Sequence, residues 1–285
     1  MAERELSSSP SLTVLYPKAM AGAALPLVRK LPGIGGPAAE LPDTELVLPD
    51  VEIDRDGLAD YCRVCTFEIH ETLPVTYPHV LAFPLHMELM SDTSFPFPMI
   101  GLVHVVNRIE LRRPIRADER MTLRVRTDDL RPHDRGKQFD VVAEAAVGGE
   151  TVWTSRSTYL HREGGSGGGG SSKERTEPPK PTATFNVPDD IGRRYAAVSG
   201  DRNPIHMHSL TAKLFGMPRA IAHGMWTKAR CLALLQGTLP EAYTVEASFK
   251  LPVLLPARVA FSTDGSAFAL HDARSGKPHL AGSAG

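Results

Sequence analysis

The chain has 285 residues, of which 42% are hydrophobic and 23% are charged, a composition typical of a soluble globular protein with room for one large domain or two. Its formal net charge of −1 supplies no basic field, so nucleic acid is not expected as a partner. Three cysteines argue against a disulfide scaffold, and Cys62-x-x-Cys65 has no second pair to complete a zinc site. We interpret this motif in a helical pattern as packing or chance, and redox use is the second alternative.

Residues 1–40 are predicted to be an N-terminal extension. Its apolar run from Ala19 to Val28 contains Pro26 and begins too far from Met1 for a usual signal peptide. No stretch approaches the ~20 apolar residues of a membrane span. The sequence therefore predicts a cytoplasmic protein without a membrane span, and it leaves an interfacial role for the extension open.

The first predicted domain covers residues 41–162 and ends in four strands. These strands are rich in valine, threonine and aromatic residues, and they partly alternate apolar with polar positions. We place them at Val103 to Leu111, Met121 to Thr127, Phe139 to Val147 and Thr151 to Leu160. Gly148-Gly149 between the last two is typical of a two-residue hairpin turn.

Six arginines crowd one region of this first domain. They are Arg112, Arg113, Arg116, Arg124, Arg126 and Arg131. Such a group can bind the phosphates of coenzyme A or an acidic carrier protein, and a solvated strand face explains it equally well. Both interpretations stay open on the sequence.

Residues 163–184 are predicted to link two domains, because a Gly/Ser tract is followed by a Pro-rich charged tract. The second domain, residues 185–285, begins with a helix capped by Asp189 or Asp190 and stopped at Gly200. We predict two further helices, Ser209 to Phe215 and Met225 to Gln236, and strands at Tyr243 to Leu251, Arg258 to Thr263 and Ala267 to Asp272. The second of these helices is apolar over most of its circumference, which predicts burial in a curved sheet.

The two domains are interpreted as divergent copies of one α+β unit, in which helices precede an antiparallel sheet. Residues 77–82 align with residues 217–222, and both segments carry proline at their second position. This alignment places Phe83-Pro84 opposite His223-Gly224.

The segment Gly200–His206 places an acid, Asp201, and an imidazole, His206, five residues apart. On one continuous helix these side chains would point about 140° apart. The Asn203-Pro204 step interrupts a helix, so the segment can direct both groups into one pocket, where they suit acid/base chemistry. A plain turn explains the same residues if they are taken alone. His208 has no further cysteine or histidine at metal-ligand spacing, so no metal is expected.

The segment from Tyr195 to His206, followed by Ala222-His223-Gly224-Met225, resembles the signature of the MaoC-like dehydratases, the hydratase 2 family. The whole chain resembles the double-hotdog 3-hydroxyacyl-thioester dehydratases of actinobacterial type. The resemblance implies two antiparallel sheets that each wrap a long central helix. It also implies reversible hydration of trans-2-enoyl thioesters to (3R)-3-hydroxyacyl thioesters in fatty acid metabolism.

By this resemblance Asp201 and His206 are the catalytic acid and base, and Asn203 supports them through hydrogen bonding. Gly224 corresponds to the glycine whose backbone N–H binds the thioester oxygen. His223 is left to cap the central helix, contact substrate or pack. No cofactor or metal is implied beyond the coenzyme A or acyl carrier protein of the substrate, and a homodimer is possible.

The first domain lacks the Asp-x-Asn-Pro-x-His segment, and Pro84 has no N–H to offer an oxyanion, so we expect it to be inactive. Resemblance to eukaryotic two-hotdog hydratases implies that such a domain houses a long acyl chain. Two alternatives to the hydratase remain: a non-catalytic acyl-thioester binding or scaffold subunit, and a hotdog thioesterase, since fold alone does not fix function.

Overall fold

The computed structural model of the protein describes residues 1–19, 40–99, 101–163 and 179–285. The Gly/Ser tract and most of the apolar run after Lys18 lie outside these residues, so the predicted linker and extension boundaries stay predictions. No helix among the described residues is long and apolar enough to cross a membrane.

The N-terminal half contains six strands and three helices within the described residues. They are β1 (Ala2–Glu5), α1 (residues 12–19), β2 (Thr44–Val51), α2 (Arg55–Cys65), α3 (Tyr77–Met90), β3 (Val103–Leu111), β4 (Met121–His133), β5 (Gly136–Val147) and β6 (Glu150–Arg162). Helix α3 is apolar around most of its circumference and packs against β4 and β5, which bury it. Both cysteines of Cys62-x-x-Cys65 are buried and free in α2, a placement that favours the packing interpretation.

The C-terminal half repeats this arrangement with extra helices. Its elements are β7 (Ala183–Val187), α4 (Ile191–Ser199), α5 (Pro204–Met207), α6 (Ser209–Leu214), α7 (Gly224–Ala233), β8 (Tyr243–Phe249), β9 (Ala257–Thr263), β10 (Ala267–Asp272) and β11 (Pro278–Ala284). Helix α7 is the central helix of this half and contacts β10. It begins at Gly224, one residue before the predicted start.

The strands of the two halves follow the same order in space. The N-terminal half runs β2-β4-β5-β6-β3, and the C-terminal half runs β7-β9-β10-β11-β8. Strands β3 and β8 pair antiparallel, with Arg108 opposite Glu246, and join the halves into one 11-stranded sheet. The predicted α+β double hotdog is therefore confirmed. Strand β1 adds to the outer edge, where it pairs in parallel with β2.

A buried lysine connects the central helix of one half to the seam between the sheets. Lys228 of α7 is fully buried, and its ammonium group donates to the side-chain oxygen of Asn107 at 2.6 Å. It also donates to the backbone carbonyls of Asn107 and Val245, at 3.1 and 3.2 Å, so three acceptors match its three N–H groups. The Asn107 amide in turn donates to Ser155 and Ser157. Lys228 therefore connects α7 to both seam strands, β3 and β8.

The predicted alignment of Phe83-Pro84 with His223-Gly224 is wrong, because Pro84 lies inside helix α3. The isolated bridges Thr72–Arg116 and Ile221–Leu254 occupy matching places before the two central helices, and they define the correct alignment. Residues 66–71 lead to this bridge in the N-terminal half, whereas residues 200–220 lead to it in the C-terminal half. The sequence showed that the first domain lacks the acid/base segment, but it aligned Pro84 with the start of α7, whereas Pro84 lies within α3.

Several element boundaries differ from the predictions. Strands β1, β2, β7 and β11 were not predicted, and β7 begins inside the predicted linker. Strand β7 alternates apolar and polar residues, but it is only five residues long and its first two residues lie in the predicted linker. Strands β4, β5 and β6 extend beyond the predicted ends because they form one long antiparallel meander.

The six arginines of the first half are all ion-paired. Each lies within 3.2 Å of a carboxylate oxygen of Glu110, Glu119, Asp118, Glu3, Glu144 or Asp129. Because their charges are already compensated within the protein, this pairing favours the strand-face interpretation over a phosphate site.

Candidate active site

The predicted acid/base segment lies between α4 and α7. Gly200 ends α4 with a left-handed φ of 75°, and its N–H donates to the carbonyl of Ala196. The Asn203 side chain then caps α5 by accepting from the N–H of Ile205 at 3.3 Å, and Pro204 is the first helical residue. This break turns Asp201 and His206 toward one cavity, as the sequence predicted.

His206 is oriented by the backbone of the bridge segment. Its Nδ1 donates to the carbonyl of Ile221 at 2.8 Å, so Nδ1 carries the proton and Nε2 keeps a lone pair. Gly192 of α4 allows this placement, since a Cβ there would lie 2.0 Å from the carbonyl oxygen of His206. Sequence reasoning missed Gly192, whose role depends on the close contact of α4 and α5.

The two oxygens of the Asp201 carboxylate have different surroundings. Oδ1 accepts from the N–H of Asn203 and from the hydroxyl of Tyr16, each at 3.1 Å. Oδ2 lies 3.8 Å from Nε2 of His223. The backbone N–H of Asp201 donates to Ser199 at 3.2 Å, and the carboxylate is 28% exposed. Asn203 thus supports Asp201 as expected, through its backbone N–H.

His223 holds the segment that carries the acid. Its Nε2 donates to the backbone carbonyl of Asp201 at 2.9 Å, and its ring stacks on that of His206 with centroids 3.7 Å apart. It occupies the N-cap position of α7 but its side chain makes no cap hydrogen bond. Of the three roles left open, the geometry favours packing and support of the acid/base pair.

Gly224 is the first residue of α7, so its N–H has no intrahelical acceptor. A Cβ at this position would lie 3.2 Å from the Phe249 ring, closer than most side-chain contacts. The helix N-terminus provides free N–H groups and a positive partial charge at this wall of the cavity.

The charges of the site follow from burial and from these contacts. Burial alone would raise the pKa of Asp201. The neighbouring imidazoles of His223 and His206 and the hydrogen bonds donated to the carboxylate have a larger effect in the opposite direction, so the pKa lies below its ordinary value. Burial lowers the pKa of His206, and it lowers the pKa of His223 to about 3. At neutral pH the site therefore holds one carboxylate and two neutral imidazoles.

Asp201, His206 and His223 are also the group of described residues that could hold a cation, with donor atoms all within 4.8 Å of one another. One nitrogen of each imidazole already donates to a backbone carbonyl. The remaining nitrogen and the carboxylate suit a polarised water as well as an ion. The absence of a metal from the reaction remains a prediction.

The cavity of about 280 Å³ is lined by both halves of the molecule. One face of α3 contributes Val80, Phe83, Met87 and Met90, spaced as on a single helical face. These positions span about 15 Å of helix. Near the start of α3, the His79 ring stacks on that of His104 with centroids 6.3 Å apart, and His104 lies 5.0 Å from Phe249, which borders Gly224. These contacts place the start of α3 near the start of α7.

Three buried imidazoles form a second polar cluster in the N-terminal half. His79 lies 5.1 Å from His86 and 6.3 Å from His104 between ring centroids. Burial lowers the pKa of His79 to about 4 and that of His104 to about 3, and it lowers the pKa of His86 as well. Neither ring nitrogen of His86 has a hydrogen-bond partner among the described residues.

A wide groove of about 970 Å³ adjoins the cavity, and both are lined by Leu251, Pro252 and His279. Four exposed cationic side chains line this groove and have no ion-pair partner among the described residues. They are Arg219, Arg258, Arg274 and Lys277. We call this surface the cationic groove.

Comparisons with known proteins agree with this geometry. Residues 171–275 match the MaoC like domain. The chain is 36% identical over 91% of its length to 3-hydroxyacyl-thioester dehydratase X of Mycobacterium tuberculosis, covering 93% of that protein. It is 27% identical over 63% of its length to the enoyl-CoA hydratase ChsH3 of the same organism, covering 65% of that protein. The crystal structure of HtdX from M. tuberculosis superposes with a TM-score of 0.75 at 35% identity, over 84% of this chain and 98% of that one.

The buried imidazoles predict how the stability of the protein depends on pH. His86 has a folded-state pKa below its ordinary value of 6.5, so the unfolded chain binds a proton that the folded chain does not. Stability should therefore decrease as the pH falls below 6.5. In His86→Leu this loss should be smaller by up to about 1.4 kcal/mol per pH unit. Urea unfolding at pH 8, 6 and 5 measures the difference.

His208→Gln is the matched control, because that side chain is exposed, and its unfolding should follow the unaltered protein at every pH. If His86→Leu also ran parallel to the unaltered protein, the buried neutral imidazole would be contradicted.

Proposed function

Because this chain belongs to the MaoC-like dehydratase family, we propose that it catalyses reversible hydration of trans-2-enoyl thioesters to (3R)-3-hydroxyacyl thioesters in fatty acid metabolism. The observation that carries this function is the pairing of an ionised Asp201 with the free Nε2 of His206 in one cavity, at the N-terminus of α7. We propose Asp201 and His206 as catalytic residues. No cofactor beyond the substrate's own carrier group is needed, and the proposed compartment is the cytoplasm.

Water addition needs a base and then an acid. A water between Oδ2 of Asp201 and Nε2 of His206 gives one proton to this pair as its oxygen bonds to the β-carbon. The electron pair of the double bond moves to the thioester oxygen and forms an enolate. The enolate then collapses and takes the proton back from the pair at the α-carbon, so the pair ends in its starting state. Dehydration reverses the same steps.

The enolate oxygen needs donors that do not move during the reaction. We propose that the N–H of Gly224, with the positive end of α7, binds this oxygen. The lack of a Cβ leaves room for the thioester beside Phe249. His223 keeps the acid segment in place beside this donor.

The N-terminal half lacks the acid/base segment, and we propose that it binds the acyl chain instead. The face of α3 that lines the cavity is apolar from Val80 to Met90. Because the start of α3 lies near Gly224 at the start of α7, the chain would extend from the thioester toward Met90. Apolar side chains on this face favour a hydrocarbon tail.

We propose that the cationic groove binds the phosphates of the carrier group, which is coenzyme A or the phosphopantetheine of a carrier protein. The groove shares three lining residues with the catalytic cavity, so a flexible arm can reach from one to the other. Its unpaired cations contrast with the paired arginines of the first half, and unpaired guanidinium groups suit phosphate oxygens.

The hydratase function is tested with Asp201→Asn and His206→Ala. Each should lower turnover of crotonyl-CoA by at least about 100-fold, because removal of a positioned acid/base group commonly costs that much. The fold should stay intact, since both groups face a cavity. The measurement is the loss of enoyl-thioester absorbance, with chiral analysis of the product.

His208→Gln, two residues beyond His206 and exposed, should retain full turnover. Unchanged rates in both active-site variants would contradict the mechanism. Binding of enoyl-CoA without any hydration by the unaltered protein would instead favour a binding subunit.

Met90→Trp tests the acyl site at its far end. The larger side chain should lower kcat/KM for a long-chain trans-2-enoyl-CoA by at least about tenfold through steric exclusion, while crotonyl-CoA, whose chain does not reach Met90, should react normally. Met90→Leu is the control of similar size and should affect neither substrate. Equal losses for both chain lengths in Met90→Trp would contradict the proposed direction of the chain.

The double variant Arg274→Ala/Lys277→Ala tests the cationic groove. It should raise KM for enoyl-CoA by about tenfold with little change in kcat, since two phosphate contacts are lost. The same enoyl group on pantetheine, which has no phosphate, should show no change. Lys213→Ala, exposed and outside the groove, is the matched control.

A phosphopantetheine thioester separates the two carriers. If it loses as much affinity as enoyl-CoA, the groove binds the phosphate common to both, and if only enoyl-CoA is affected, it binds the nucleotide end of coenzyme A. An unchanged KM for all three thioesters would contradict this assignment.

A further inference from the structure

A tyrosine from the N-terminal extension reaches the carboxylate of Asp201. The hydroxyl of Tyr16 in α1 donates to Oδ1 of Asp201 at 3.1 Å and accepts from the backbone N–H of Arg202 at 2.5 Å. Tyr16 also lines the cavity that holds Asp201 and His206. Both of its hydrogen bonds are therefore made to the segment that carries the acid.

Helix α1 is closely packed on that segment. A Cβ on Gly200 would lie 2.2 Å from Cδ1 of Leu12, so α1 rests directly on the turn that ends α4. Leu15 is almost fully buried on the same helix. The hydroxyl contact is thus held by apolar packing of the helix that bears it.

The extension is also attached to the other half of the molecule. Strand β1 pairs with β2, and Arg4 forms an ion pair with Glu88 of α3 at 2.8 Å. The N–H of Leu6 donates to the carbonyl of Val47 at 2.8 Å. The extension therefore begins on the N-terminal sheet and reaches the active site of the C-terminal half within the described residues.

We propose that Tyr16 is a positioning residue that holds Oδ1 of Asp201, so that Oδ2 is the oxygen left to act on the water. This inference rests on the proposed function. Two donors, the Tyr16 hydroxyl and the Asn203 N–H, occupy Oδ1, whereas Oδ2 lies 3.8 Å from Nε2 of His223, whose ring stacks on that of His206. A carboxylate fixed in this way cannot rotate to exchange its oxygens without breaking both hydrogen bonds.

Tyr16 remains a donor throughout the working pH range. Burial and the adjacent charge of Asp201 raise its pKa far above the ordinary value, so the hydroxyl stays protonated. Its hydrogen bond also helps to keep the pKa of Asp201 low, although the two histidines have larger effects. Loss of the hydroxyl should therefore weaken the position of the acid and raise its pKa together.

Tyr16→Phe removes the hydroxyl and keeps the ring. We expect kcat for crotonyl-CoA to fall by about tenfold, the range of one hydrogen bond to a charged group. KM should change less than twofold, because Tyr16 acts through Asp201. The acidic limb of the pH–rate profile should move to higher pH, since a carboxylate that loses a donor binds its proton more tightly.

Leu12→Ala is the control for packing, because it loosens the contact of α1 with Gly200 and keeps the hydroxyl. It should lower the free energy of unfolding and move the acidic limb less than Tyr16→Phe does, because the hydroxyl that donates to Asp201 is kept. In the Asp201→Asn background, Tyr16→Phe should have no further effect on kcat. The inference is overturned if Tyr16→Phe turns over normally with an unchanged pH profile, or if it lowers kcat equally in the Asp201→Asn background.

These outcomes are distinct from failure of the proposed function. If the unaltered protein hydrates no enoyl thioester, the hydratase itself is contradicted, and the positioning role falls with it. If the unaltered protein is active and Tyr16→Phe matches it, only the role of Tyr16 is contradicted.

Discussion

The pairing of β3 with β8 is the interaction on which the rest of the molecule depends. If the two sheets were separate, β3 and β8 would each be an edge strand with unpaired backbone groups. Joining the edges satisfies the backbone of both strands and continues one sheet through both halves. Lys228 strengthens this arrangement, because an ammonium buried at the seam is tolerated only while Asn107 and Val245 supply its acceptors. The cavity is lined by residues from both sides of this seam.

The two halves then diverged in the segment that precedes the central helix. In the C-terminal half, residues 200–220 form two short helices and carry the acid and the imidazole. In the N-terminal half, residues 66–71 are too few to do so, and helix α3 instead presents an apolar face to the same cavity. One site therefore draws its polar groups from one repeat and its apolar wall from the other. The N-terminal extension adds a third contribution through Tyr16.

The sequence predicted the acid and the imidazole because their placement is local. Gly200 stops a helix and Asn203-Pro204 starts the next, so the turn between them is encoded within seven residues. The alignment of Pro84 with Gly224 failed because it is not local. The segment before the central helix is much shorter in the N-terminal half, so all later positions are shifted and similar residue types align by chance. Only the backbone bridges at Thr72 and Ile221 reveal the correct alignment.

Contacts between distant parts of the chain could not be predicted in this way. Tyr16 lies 185 positions from Asp201 in the sequence. No periodic pattern of apolar residues indicates that the N-terminal extension contacts the turn that carries Asp201. The role of Gly192 could not be predicted either, because it depends on how closely the backbone of His206 approaches α4, and the sequence does not show this distance. The cationic groove is formed by residues from four separate segments, so its charges are scattered in the sequence and gathered only in space.

The division of labour between the repeats has an evolutionary consequence. Mutations along the α3 face can reshape the acyl wall while the acid, the imidazole and the helix N-terminus remain untouched on the other repeat. A tandem enzyme of this type can therefore drift toward new chain lengths through steps that each preserve its chemistry. A symmetric dimer of identical hotdogs has no such freedom, because every substitution in the wall is also a substitution beside a catalytic group.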